Sequence, residues 1–427
     1  MAGANFSDVE TFGLLKELYS DDVVFQEHIQ NSMYNFIDRA GEDEVEFDGN
    51  YWNVPVQFQL NESYASINDN EHLPDSDLTK GTFAKFRCKL AYSTIEATTF
   101  AGTRGHKNGR PNGKYMDDLV KSTLMSFMSN LDFDLLGNGR GYRSTIVTAT
   151  PGAASFTVGS SMRLRPGMRL DWYDSTYATL RGSIKIAVKG IDRINKTVYI
   201  DSTFGTGAVP AGAVVTDVLV VYGALAAGEP TDGRYAAGLP RLTDNTLTLG
   251  TLSSATYAAW AATNYNAAGA NPGQEGLQIH WDQMYAICGM YPGKMAFNPS
   301  FKRAYLTPFL NQRIFTSNSF DTGATSLTFS PVKMGSDEKG KKPGSFQMLE
   351  DKNMESDAYY LWVPSALKVA SDYANEPHLA DEDDREFRFR LGYDSMQGFL
   401  RFWWNTISNQ RNAIGKGYGF ASASGTL

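Results

Sequence analysis

The stretch VPVQFQL at residues 54–60 alternates apolar and polar side chains, and the stretch KFRCKLAY at residues 85–92 alternates again. A period of two is typical of half-buried strands, so the two stretches predict a hairpin. Residues 61–81, NESYASINDNEHLPDSDLTKG, separate the strands, whereas hairpin loops usually have about two to five residues. The sequence therefore predicts a long two-stranded arm over residues 45–101 with a large acidic tip.

The predicted arm has an apolar face and no evident core of its own. A two-stranded ribbon is marginally stable at best in water, so this face must be buried against something else. We therefore predict that the arm makes contacts between subunits, with its tip near Arg104, Lys107 and Arg110 of a neighbouring chain. In the return strand the predicted apolar face consists of Phe86, Cys88, Leu90 and Tyr92. The candidate contact residues of the arm are Val54, Val56, Phe58, Leu60, Glu62, Asp69, Glu71, Asp75 and Asp77.

The composition is that of a folded chain with an acidic surface. At 427 residues the chain exceeds the usual ~100–200 residues of one domain, and its 42% hydrophobic residues argue against disorder. A net charge of −8 predicts a surface that on average repels nucleic acid. No run approaches the ~18 apolar residues of a membrane span, which predicts a protein without a membrane partner. Cys88 and Cys288 lie in apolar contexts, which predicts buried free thiols in a reducing cytoplasm.

The periodicity changes along the chain and predicts an α+β protein. An apolar stripe at helical spacing predicts a long helix over residues 111–137, and short strands between turns predict a small β-barrel or sandwich over residues 142–222. In the aromatic carboxyl end, Phe399, Phe402 and Trp404 are expected on the buried side of a strand. The predicted segments are 1–44, 45–101, 102–141, 142–222, 223–274, 275–372 and 373–427.

Candidate chemical sites are few and weak. His280 and Cys288 are eight residues apart, about two helical turns, which permits a base and a nucleophile but does not require them. The acidic run DEDDREF at residues 381–387 lacks the ligand spacing of a calcium loop. The run GNGRG at residues 137–141 follows a helix, the reverse of a phosphate-binding loop. The sequence therefore predicts no catalytic residues, no metal, no cofactor and no enzymatic activity.

The order and lengths of these pieces resemble the major capsid proteins of tailed phages, which have the HK97-type fold. Residues 12–24, FGLLKELYSDDVV, are similar to the N-terminal arm of that family, and residues 49–98, with EHLP before the return strand, are similar to its E-loop. Residues 115–143 resemble the spine helix and the Gly-rich turn after it. Residues 295–309, MAFNPSFKRAYLTPF, are similar to a strand and helix of the A-domain.

The resemblance assigns a family part to each predicted segment. It implies an N-terminal arm (1–44), an E-loop hairpin (45–101), the spine helix with part of the P-domain (102–141) and an inserted β-domain (142–222). It further implies a crossing segment of the P-domain (223–274), an A-domain (275–372) and the last P-domain strands (373–427).

The resemblance also implies function and partners. Copies of the chain would form the hexamers and pentamers of an icosahedral shell that encloses double-stranded DNA, with scaffolding, portal and decoration proteins as partners. The chain would be made in the cytoplasm of a bacterial host and end in the virion. Two alternatives stay open: an encapsulin-like shell of the same fold filled with enzyme, and a glycan-binding or hydrolytic protein with Trp403 and Trp404 as its aromatic platform.

Overall fold

The computed structural model describes residues 32–41, 44–64, 66–67, 72, 75, 78–98, 113–225, 233–310, 347–371, 378–379, 388–389, 392–393 and 395–421. The chain divides into two units, one of residues 1–34, 89–132 and 371–404 and the other of residues 35–88, 133–370 and 405–427. Among the described residues, strands outnumber helices, and the fold is α+β, as the sequence predicts. The helices are α1 Ser32–Phe36, α2 Gly113–Leu135, α3 Leu239–Thr243, α4 Gln274–Cys288 and α5 Pro299–Leu310.

The strands fall into a hairpin, a barrel and two further groups. The first strands are β1 Asp38–Arg39, β2 Glu46–Phe47, β3 Tyr51–Gln59, β4 Lys80–Arg87 and β5 Lys89–Thr98. The next are β6 Tyr142–Thr148, β7 Ser155–Val158, β8 Arg169–Tyr173, β9 Leu180–Asp192, β10 Thr197–Ile200 and β11 Val218–Val221. The last are β12 Tyr265–Asn266, β13 Lys294–Phe297, β14 Gln347–Glu350, β15 Tyr359–Trp362, β16 Leu367–Ser371, β17 His378–Leu379, β18 Arg388–Phe389, β19 Ser395–Ser408 and β20 Ile414–Tyr418.

The predicted return strand of the hairpin is broken at Cys88. Strand β4 pairs with β3, whereas β5 pairs with β19, opposite Trp404 at its first residue. The sheet that a strand joins decides which of its residues are buried. The alternation of buried and exposed residues therefore shifts by one position at the break: Lys89 is 6% exposed and Leu90 is 58% exposed. The single apolar face predicted for Phe86, Cys88, Leu90 and Tyr92 is therefore wrong beyond Phe86.

Strand β19 is the long strand of the first unit. It pairs with β5 over ten residues, and Leu400, Phe402 and Trp404 are buried on one side. The ring of Tyr34 lies edge-on to Phe402 and Trp404, at centroid distances of 6.0 and 6.3 Å. Phe399 is 39% exposed, so its expected place on the buried side is wrong, because odd-numbered residues of this strand face the other way.

Strands β6 to β11 close into a barrel in the order β10-β7-β6-β11-β8-β9. Apolar residues of alternate positions fill its interior, and its buried core consists of Ile146, Phe156, Val158, Leu164, Leu170, Trp172, Ile184, Ile186, Val198, Ile200, Val209 and Leu219. The two ends of the barrel segment are adjacent, because β6 pairs with β11 and the Val221 N–H donates to the Gly141 carbonyl at 3.0 Å. A closed barrel with adjacent ends can be inserted into a chain without separating the flanking segments.

Two buried polar contacts join the barrel to the rest of its unit. The Arg143 guanidinium lies 3.2 Å from the Asp134 carboxylate at the end of α2. The Arg163 Nε–H donates to the Asn353 carbonyl at 2.8 Å. Both arginines are buried, so these contacts are shielded from water and fix the barrel at its base.

The remaining sheet of this unit has the order β12-β20-β15-β13-β14. Every residue of β13 and β15 is buried, as expected for central strands covered on both faces. Met284 of α4 and Phe301 of α5 belong to the same core as the strand residues Phe297 and Tyr359. Helices α4 and α5 thus cover this sheet.

Candidate assembly surfaces

The base of the hairpin packs on a later segment of its own chain. The Lys85 N–H donates to the Gly250 carbonyl at 2.8 Å, and the Phe58 ring stacks on Tyr257 at 4.3 Å. Val54 and Val56 are 3% and 8% exposed. Their predicted role as contacts to a neighbouring subunit is therefore wrong, because this chain already covers them.

The far half of the hairpin presents apolar side chains to solvent. The large apolar residues exposed there are Leu60, Tyr64, Ile67 and Leu78, and Phe83, opposite Pro55 in the paired strands, is exposed as well. Glu62 and Asp75 are also exposed, so Leu60, Glu62 and Asp75 are placed where a second molecule can reach them. Apolar groups of this kind at the end of a ribbon favour a contact with another protein surface. The other tip residues of the prediction, Asp69, Glu71 and Asp77, and the basic residues Arg104, Lys107 and Arg110 lie outside the described residues.

A second exposed surface lies on the sheet formed by β5 and β19. Leu90, Tyr92 and Phe399 are 58%, 54% and 39% exposed on one face. The Trp403 indole N–H donates to the Tyr92 hydroxyl at 3.2 Å, and the Arg401 guanidinium lies 5.6 Å from the Trp403 ring centre. Sequence reasoning missed this face because it placed Leu90 and Tyr92 in the phase of β4.

The same geometry contradicts the glycan-binding alternative. Adjacent residues of a strand point to opposite faces, and Trp404 is 1% exposed while Trp403 lies on the solvent side. The two rings therefore cannot form one aromatic platform.

The structure separates the proposed pair of His280 and Cys288. The Thr263 carbonyl can only accept, so His280 Nε2 carries the proton and donates to it at 2.9 Å, and Nδ1 accepts from the Tyr359 hydroxyl at 3.0 Å. Burial lowers the pKa of His280 to about 4, which keeps the imidazole neutral. The Cys288 thiol donates to the Met290 carbonyl at 3.3 Å, and burial raises its pKa. Each group is a satisfied part of the core, and neither activates the other.

The other candidate chemical sites give no further support for catalysis. Within the described ranges, no group of His, Cys, Asp and Glu side chains is arranged to hold a metal ion. The acidic run at residues 381–387 lies outside those ranges, and residues 137–141 follow the carboxyl end of α2. None of the helices in the described part of the chain combines the length and apolar character needed to cross a bilayer.

Comparison with known proteins gives a match in structure but none in sequence. No protein-family model matches the chain, and no curated protein matches it. The capsid asymmetric unit of cyanophage A-1(L) has a similar fold, with a TM-score of 0.53 and 10% identity over 94% of this chain and 96% of that chain. The capsid of a native GTA particle gives a TM-score of 0.48 at 7% identity over 99% and 100% of the two chains. The holo-SrpI encapsulin complex from Synechococcus elongatus PCC 7942 gives 0.44 at 6% identity over 98% of each chain.

The match to the cyanophage chain defines the class of the fold. Of the three, the cyanophage chain exceeds a TM-score of 0.5, and at 10% identity it shows the fold alone. The chain has a capsid-type α+β fold along nearly its whole length. The resemblance to phage capsid proteins predicted from the sequence is confirmed at the level of the fold.

Proposed function

We propose that the chain is the major capsid protein of a tailed phage, a structural protein without enzymatic activity. The observation that carries the proposal is the match in fold to a cyanophage capsid chain over 94% of this chain. The exposed apolar residues on the far half of the hairpin and on the β5–β19 sheet support it, because surfaces of this kind need a partner. In a shell, the partner is another copy of the same chain.

Within this proposal the elements take the parts of the HK97-type fold. The hairpin of β3 and β4 is the E-loop, α2 is the spine helix and the β6–β11 barrel is the inserted domain. Residues 275–372 form the A-domain, and residues 102–141, 223–274 and 373–427 contribute to the P-domain. The N-terminal arm is residues 1–44. Copies assemble as hexamers and pentamers.

The charge of the chain is compatible with a shell around double-stranded DNA. A net charge of −8 makes the surface of the chain on average repel DNA and favours the solubility of free subunits before assembly. The proposed partners are a scaffolding protein, a portal and decoration proteins, and the mature location is the virion, after synthesis in the bacterial cytoplasm.

Assembly and content can be tested together. The full chain is expressed in bacteria, and the product is followed by light scattering and negative-stain electron microscopy, with closed shells or capsomer rings expected. Co-expression with the genes beside it in its genome, followed by nuclease treatment, then shows whether the particles protect DNA. Particles that hold a protein cargo and no DNA favour the encapsulin-like alternative, and a chain that stays monomeric under all conditions contradicts both.

A further inference from the structure

The barrel carries a charge opposite to that of the chain. Residues 142–222 contain nine Lys and Arg residues against five Asp residues and no Glu, a net charge of +4 in a chain of −8. The other residues together therefore carry −12. Separation of charge on this scale within one chain favours an interaction between the barrel and an acidic surface.

The five carboxylates of the barrel all accept hydrogen bonds from groups of the barrel itself. Asp217 accepts the Trp172 indole N–H at 2.9 Å and the Val214 N–H at 2.8 Å, and Asp171 accepts the Ser183 hydroxyl at 2.6 Å. The other three accept backbone N–H groups of their own turns; they are Asp174, Asp192 and Asp201. The positions of these five carboxylates are therefore fixed by contacts within the barrel.

Several of its cations, by contrast, lie on one outer side with aromatic rings. We call this side the cationic barrel face and define it by Arg169, Lys185, Lys189, Tyr199, Phe204 and Tyr222. Arg169 is paired with Lys185 across β8 and β9, so both side chains point outward on the same side. The Arg169 guanidinium lies 5.0 Å from the Phe204 ring centre, and the Lys189 ammonium lies 4.1 Å from that of Tyr199.

Two of the three cations on this face can still form ion pairs with a partner molecule. Lys185 pairs with Asp201 at 3.1 Å. In the part of the chain that the structure describes, no carboxylate pairs with Arg169 or Lys189, and both are exposed. A partner that supplies carboxylates beside apolar groups would satisfy the cations and cover the rings.

We propose that the cationic barrel face binds the acidic hairpin tip, residues 61–79, of a second copy of this chain. This inference rests on the proposed function, because it requires a shell in which copies are neighbours. The tip carries Glu62, Asp69, Glu71, Asp75 and Asp77 and no Lys or Arg. It also exposes apolar side chains, Tyr64 at 91% and Leu78 at 72%. Charge and apolar character of the two surfaces are therefore both complementary.

A charge-swap experiment tests this contact. Arg169→Glu with Lys189→Glu reverses the face, and Glu62→Lys with Asp75→Lys reverses two tip residues that the structure shows exposed. The reversed face meets the acidic tip with like charge, and the tip variant reduces the tip charge from −5 to −1, so either double variant is expected to lower the yield of closed shells by at least about tenfold. The quadruple variant exchanges the signs of these four side chains, so ion pairs between the exchanged positions can form again, and it is expected to recover part of the shell yield. The matched control compares Lys189→Glu with Lys121→Glu, an exposed lysine of α2 with the same change in charge.

The outcomes separate this inference from the proposed function. If the wild-type chain forms no shells, the proposed function fails. If the wild type assembles and the reversed face assembles equally well, or the quadruple variant recovers nothing although circular dichroism shows it folded, the barrel–tip contact is wrong. A reversed face that assembles normally but retains less DNA assigns the face to nucleic acid and also overturns the contact.

Discussion

At the scale of single residues, His280 makes the stability of the second unit depend on pH. Its imidazole is 0% exposed, and burial lowers its pKa from 6.5 to about 4. The groups that face it are the Thr263 carbonyl, the Tyr359 hydroxyl and the Tyr265 ring. In the unfolded chain the imidazole takes up a proton near pH 6.5, whereas in the folded chain it does so only near pH 4.

The sign of the resulting pH dependence follows from these values. The contribution of neutral His280 is fully present above pH 6.5 and is lost as the pH falls towards 4, because the unfolded state then binds a proton that the folded state does not. The whole effect amounts to about 3 kcal/mol. We expect His280→Gln to remove this slope from the free energy of unfolding, measured by urea denaturation between pH 7.5 and 4. Equal slopes in the two proteins would contradict the assignment.

Trp403 and Trp404 offer a matched pair of substitutions on one strand. Trp404 is buried beside Phe402 and Tyr34, and its truncation to Ala is expected to cost about 3–5 kcal/mol in the free energy of unfolding. Trp403 is half-buried on the opposite face, where it contacts Tyr92 and Arg401, so Trp403→Ala is expected to cost less than Trp404→Ala. Chemical denaturation of both variants measures the difference. Similar losses at the two positions would show that the β5–β19 face is covered within the folded chain.

At the scale of elements, the barrel has a complete core and adjacent ends. Replacing residues 142–222 with a short Gly-Ser linker is therefore expected to leave the rest of the chain folded, with cooperative thermal unfolding followed by circular dichroism. The excision also removes Arg143, the partner of Asp134, and leaves that buried carboxyl unpaired. A companion variant with Asp134→Asn removes this penalty and is expected to unfold at a higher temperature than the simple excision. Absence of a cooperative transition in both variants would show that the barrel is integral to the body.

Secondary structure was predictable from the sequence wherever one sheet governs a whole stretch. The alternation of residues 54–60 identified β3, and helical spacing identified α2, because a single buried face imposes one period. Cys88 marks the limit of this reasoning. There the chain leaves one sheet and joins another. Which residues of β5 are buried therefore depends on β19, more than 300 residues later. As a result Lys89 is buried where the local pattern predicts exposure.

The candidate assembly surfaces were predictable only in part, for the same reason. The acidic tip and the exposed Leu60 follow from the sequence. The burial of Val54 and Val56 does not, because it depends on the segment around Gly250 and Tyr257, which has no periodic pattern. The exposure of Leu90 and Tyr92 could not be predicted, because the side-chain alternation shifts by one residue at Cys88.

At the scale of the whole molecule, charge and apolar exposure are distributed unevenly. The hairpin base is satisfied within the chain, whereas the far half of the hairpin, the β5–β19 face and the cationic barrel face present groups that a solitary chain leaves in water. Individual exposed ion pairs contribute only about 0–1 kcal/mol. Because such pairs recur in every copy of a closed shell, their small free-energy contributions add up to a large effect on assembly.

This division within the hairpin leads to the last prediction. Replacing residues 62–79 with a tight Asn-Gly turn is expected to leave the subunit folded and soluble, because Phe58 still stacks on Tyr257 and Lys85 still bonds to Gly250. The same change removes all five acidic tip residues together with Tyr64 and Leu78, so closed shells are not expected in light scattering or electron microscopy. A Gly-Ser segment of equal length at residues 62–79 is the control for the reach of the arm. Loss of shells in both variants assigns the effect to the side chains of the tip, and normal shells from the Asn-Gly variant would sink the claim that this hairpin joins subunits.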